Sequence, residues 1–84
     1  MEKFQQAVDK VNETFRTEYS SFRAEITCID KKEVNIEIEG DWKHDHIFAD
    51  NIMQENGFTK TNEYITHPTD EDWYESTHFY TFKG

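Results

Sequence analysis

Residues 22–39 read FRAEITCIDKKEVNIEIE, and the placement of apolar residues within them decides the fold. Phe22, Ala24, Ile26 and Cys28 alternate with Arg23, Glu25 and Thr27. After Asp30-Lys31-Lys32-Glu33 the alternation resumes, with Val34, Ile36 and Ile38 set against Asn35, Glu37 and Glu39. A period of two belongs to a strand with one buried face, so the stretch predicts a β-hairpin. Upstream, Phe4, Ala7, Val8, Val11 and Phe15 fall at the i, i+3, i+4 spacing of an amphipathic helix over residues 2–19. Downstream, Gly40-Asp41 breaks the alternation. Helical spacing returns over 42–56 through Trp42, Ala49, Ile52 and Met53, with Phe48 on the flank and Asn56-Gly57 as a C-terminal stop.

Two further stretches, 58–66 and 73–83, are rich in Thr, Tyr, Phe and Trp and read as strands. The order α-β-β-α-β-β predicts an α+β two-layer sandwich, a four-stranded antiparallel sheet with both helices on one face. Val11, Phe15, Phe22, Ile26, Ile36, Ile38 and Ile52 are its expected core. Each half is a helix followed by a hairpin, but the halves share no residue pattern that marks a repeat.

A chain of 84 residues supports one domain, 1–84, with a modest core and little room for a deep active site. Cys28 is the only cysteine, so no intramolecular disulfide can form. The longest apolar run, Ile47-Phe48-Ala49, is too short for a membrane span. These features point to a cytoplasmic protein.

The net charge of -9 is regional. Residues 1–32 hold six acids and six bases, whereas residues 33–75 hold twelve acids against Lys43 and Lys60, a net of -10. Such a field opposes direct binding to DNA, RNA or anionic membranes and favours a basic partner protein; solubility alone is the plainer account of it.

If Val34, Ile36 and Ile38 point inward, then Glu33, Glu37 and Glu39 point outward, with Asp41 continuing the odd series. Carboxylates two residues apart on a strand stand about 6.6 Å from one another, which makes a regular anionic row. Asp41 and Asp45 share one helical face at the start of the second helix, where an aspartate also serves as an ordinary cap. A second cluster, Asp70, Glu71, Asp72 and Glu75, surrounds Trp73 and Tyr74 in THPTDEDWYEST at 66–77. Thr69-x-x-Asp72 has the form of a capping box, which accounts for one acid of the four. In the last strand Trp73, Glu75, Thr77, Phe79 and Thr81 share one side and Tyr74, Ser76, His78, Tyr80 and Phe82 the other. Aromatics ringed by acids have the composition of a protein-binding patch.

Enzyme readings find less support. His44 and His46 diverge on a helix and have no cysteine near, so no metal site is expected. Asp41-x-Lys43-x-Asp45 fails as a calcium loop because Lys43 takes a ligand position. Cys28 continues the buried series and is expected as a core thiol, and no glycine-rich phosphate loop occurs. The sequence therefore predicts neither a cofactor nor catalysis.

In size, acidity and α/β make-up over its whole length, the chain resembles the small acidic anti-CRISPR proteins that phages direct against bacterial defences. Several of those look like duplex DNA to the enzyme they inhibit. The resemblance implies a DNA-mimic inhibitor that presents Glu33, Glu37, Glu39, Asp41, Asp45 and the Asp70–Glu75 cluster to arginines that would otherwise hold phosphates, in the cytoplasm of the host cell if the chain is phage-encoded. A carboxylate takes two parallel bonds from one guanidinium much as a phosphate does. An immunity protein or antitoxin against a basic nuclease fits the same physics. A structural or adaptor homo-oligomer, joined through Trp73 and Tyr74, is the alternative from a different class.

Overall fold

A computed structural model describes residues 2–18, 22–40, 45–66 and 74–83. The elements run α1 (Glu2–Glu18), β1 (Ala24–Cys28), β2 (Glu33–Gly40), α2 (Asp45–Glu55), β3 (Phe58–Thr66) and β4 (Tyr74–Phe82). The α-β-β-α-β-β order and the α+β class are as the sequence predicts. Phe4, Val8, Val11 and Phe15 form the buried stripe of α1, and Ala49, Ile52 and Met53 that of α2. Both stripes join Val34, Ile36, Ile38, Phe58 and Tyr80 in one core, so the helices cover a single face of the sheet. Phe4, Phe58 and Phe82 meet with centroids 5.2 to 6.5 Å apart, and Phe15 meets Phe22 edge to face at 5.8 Å.

The α2 stop falls where expected. Gly57 adopts φ 89°, the left-handed geometry that glycine accepts without a Cβ clash, and its amide donates to the Gln54 carbonyl at 3.2 Å.

All strand pairings are antiparallel, in the order β1-β2-β4-β3. The last strand of the chain thus occupies an interior position, flanked by β2 and β3. On the outer side of β1, Asn12 of α1 acts as a surrogate strand. Its amide donates to the Ala24 carbonyl at 3.0 Å and its carbonyl oxygen accepts the Ala24 amide at 2.7 Å. These bonds satisfy backbone groups that an edge strand otherwise leaves to solvent.

Two register shifts depart from simple alternation. One lies between Ile26 and Cys28 and sets Cys28 opposite Glu33. Cross-strand partners share a face, so the extra residue at Thr27 carries Cys28 out of the inward series. The expected core thiol is half-buried on the other side of the sheet, and Ile26 is only partly buried against the core. The other shift lies between Lys60 and Asn62 in β3.

Candidate functional site

The helices leave one sheet face open, and the strand register states what lies on it. Glu25, Asn35, Phe79 and Asn62 form one rung across the four strands, and Cys28, Glu33, Thr81 and Thr59 form the next. On the other side of the first rung stand Glu37, Thr77 and Tyr64, followed by the register positions Glu39, Glu75 and Thr66. Glu25, Glu37 and Glu75 are exposed and Glu33 is half-buried. No lysine or arginine occurs among the described residues of these rungs. At the centre, Tyr64 and Phe79 pack edge to face at 5.7 Å; Tyr64 is 61% exposed, and its hydroxyl accepts a hydrogen bond from Asn62 at 3.0 Å.

The structure thus brings together Glu33, Glu37 and Glu75 from the residues that the sequence singles out. Glu39 and Glu75 are directly opposed in register, although the Glu39 side chain, like that of Asp45, lies outside the described residues. So do Asp41, Asp70, Glu71, Asp72 and Trp73. Glu25 joins the face because β1 pairs with β2, and its outward position in the 22–28 alternation is the signal that marks it. The aromatic pair on this face is the exposed Tyr64 and the half-buried Phe79, on the two strands that the sequence reads as the second hairpin.

A second constellation, absent from the sequence reading, lies on the helix side. Lys60 and Glu63 are three apart and would fall on opposite faces of a regular strand. The β3 irregularity sets Lys60 opposite Tyr80 and Glu63 opposite His78, both inward partners. Lys60 Nζ bonds Asp50 Oδ2 at 3.2 Å and Glu63 Oε2 at 2.6 Å. The Tyr80 hydroxyl donates to the Asp50 carboxylate. His78 is fully buried, with Nε2 2.8 Å from Ser76 Oγ and Nδ1 3.4 Å from Glu63 Oε2.

Burial, reinforced by the hydrogen bond to Asp50 and by the Asp50 and Glu63 charges, drives the Tyr80 hydroxyl well above the ordinary phenol range. Folding therefore holds this proton more tightly than the unfolded chain does. The resulting stabilisation is complete below about pH 10, where a free phenol titrates, and is lost as pH rises beyond it. In an alkaline titration followed by phenolate absorbance, one of the four tyrosines should ionise only as circular dichroism reports unfolding. Tyr80→Phe should remove that coincident phase; smooth ionisation of all tyrosines in folded protein would refute the assignment.

Among the described residues no group of three or more His, Cys, Asp or Glu side chains has metal-holding geometry, and no helix is long and apolar enough to cross a membrane. His44 lies outside the described residues, as does the His46 side chain. No protein-family model matches the chain, and neither a curated protein nor a solved structure shows significant similarity to it, so its functional reading rests on its own residues.

Proposed function

We propose that this chain is an acidic inhibitor that occupies the nucleic-acid-binding surface of a basic enzyme, its carboxylates standing where phosphates would, in the manner of anti-CRISPR proteins. The observation that carries the reading is the open face, on which Glu25, Glu33, Glu37 and Glu75 surround an aromatic pair with no basic residue among the described positions. Like charges across or along a sheet destabilise it, by up to about 1 kcal/mol for a directly opposed pair, and a docked cationic surface offsets that cost. The aromatic pair supplies apolar area for guanidinium stacking, and the carboxylates supply bidentate acceptors. An immunity protein against a basic nuclease would use the same face, and the identity of the partner separates the two readings. Both place the chain in the cytoplasm.

Affinity capture from bacterial lysate, eluted with a salt gradient, should yield a basic nucleic-acid-handling enzyme, and the purified chain should displace that enzyme from its DNA. The chain alone should show no duplex affinity tighter than about 1 μM at physiological salt, beyond ordinary non-specific binding. A captured partner that binds DNA and this chain simultaneously would refute phosphate mimicry.

A further inference from the structure

We propose that the outer edge of β1 at Ile26 receives an extended segment of a partner protein, an apolar residue flanked by basic ones, as a short added antiparallel strand. Asn12 shows what this edge binds. Its side-chain amide exchanges both hydrogen bonds with the Ala24 backbone, as one residue of an antiparallel pair does. Ala24 therefore turns its N–H and C=O away from β2, and strand alternation turns those of Ile26, two residues on, to the same outer side. Among the described residues no group bonds Ile26 there. The Thr27 bulge interrupts the pattern beyond it, so the edge offers one residue's pair of bonds.

The position is open because α1 crosses the sheet obliquely. Its middle reaches the β1 edge through Asn12, whereas its first turn sits over the far strands, where Phe4 meets Phe58 of β3 and Phe82 of β4. The helix thus leaves the edge as it runs back toward Glu2, and a wedge opens beside Ile26. Two adjoining hollows of about 240 and 420 Å³ occupy it and share Ile26 and Ile29 as walls. Phe4 and Gln5 line the helix side, and Ile29 is 57% exposed. Cross-strand partners share a face, so a residue paired with Ile26 points its side chain toward the helices, into this apolar wedge. The charged side chains lining it, among the described residues, are Glu2 and Asp30, both acids. They attract basic residues two positions to either side of the paired one, which lie on the same face. Backbone bonds supply affinity and the wedge supplies selectivity, the division that strand addition uses. This edge is separate from the open acidic face, and its test does not depend on the function proposed there.

The test titrates the isotope-labelled full chain with the peptide acetyl-Lys-Val-Ile-Val-Lys-amide and follows backbone amide shifts by NMR. Saturable shifts centred on Ile26 are expected at millimolar peptide or below. N-methylating the central isoleucine removes the bonding N–H and should weaken binding by at least about tenfold, whereas N-methylating both valines, whose amides face away, should leave affinity within about threefold. Replacing the two lysines by glutamates should weaken binding by a similar factor at low salt. Ile29→Ser, at an exposed turn position, should weaken the parent peptide by at least about fivefold with melting temperature unchanged. The absence of a saturable shift at Ile26, equal losses from the two methylation patterns, or full affinity in Ile29→Ser would overturn the site. Full affinity of the glutamate peptide would overturn the basic flanks. Ile26 shifts that grow with chain concentration in the absence of peptide would give the edge to a second copy and overturn the peptide as its occupant.

Discussion

Replacing Glu33 and Glu37 together by lysine is expected to weaken the complex with the basic partner by at least about a hundredfold while melting stays near wild type. Both side chains belong to the helix-free side of β2, separated by one intervening outward residue, Asn35. They face no core residue, and reversing them relieves repulsion within a face that carries no described base. In a complex the same change sets two lysines against arginines. Losing a close pair at a desolvated interface costs on the order of 2 to 5 kcal/mol, and rim pairs chiefly slow association. High salt should reproduce the mutant phenotype in the wild type. Binding at low and high salt, with circular dichroism as folding control, checks both effects. If this variant and Glu25→Lys/Glu75→Lys both bind normally, the carboxylates serve solubility alone, and the Tyr64–Phe79 pair becomes the surface to test.

Truncating Phe15 to alanine should have the larger effect on the fold. The ring is fully buried in the α1 stripe and packs edge to face on Phe22. Removing a buried phenylalanine costs about 3 to 5 kcal/mol, against a total stability of roughly 4 to 12 kcal/mol for a domain of this size. At about 4 to 8 °C per kcal/mol, the melting temperature should fall by roughly 12 to 40 °C. Phe79→Ala, on the open face, serves as the contrast and should cost less than about 2 kcal/mol, in line with ordinary single substitutions. A loss below about 1 kcal/mol for Phe15→Ala would mean that α1 is not seated on the sheet as described.

The parts of this architecture that sequence reveals are those with local periodicity. The 3.6-residue stripe from Phe4 to Phe15, the alternation through Val34, Ile36 and Ile38, and the Asn56-Gly57 stop each lie within one element, and each element forms where it is read. Strand order is different. That β4 pairs with β2 as well as β3 depends on how α2 carries the chain across the sheet, which no window of sequence records. The bulges are harder still, because one extra residue at Thr27 or Thr61 leaves composition unchanged yet reassigns the face of every residue beyond it. That reassignment moves Cys28 beside Glu33 and brings Lys60 and Glu63 to the same side. Hence the anionic row on β2 is visible in advance, and the Asp50–Lys60–Glu63–Ser76–His78–Tyr80 constellation is not.

The interior place of β4 also has a consequence for biosynthesis. During translation β2 and β3 emerge first, and each waits with an unpaired edge until residues 74–82 leave the ribosome to fill the gap between them. A product that stops short of Tyr74 offers two open strand edges to its neighbours, which is the template for edge-to-edge aggregation. Termination before Tyr74 should therefore yield insoluble protein, whereas termination after Lys83 leaves every strand pair of the sheet in place.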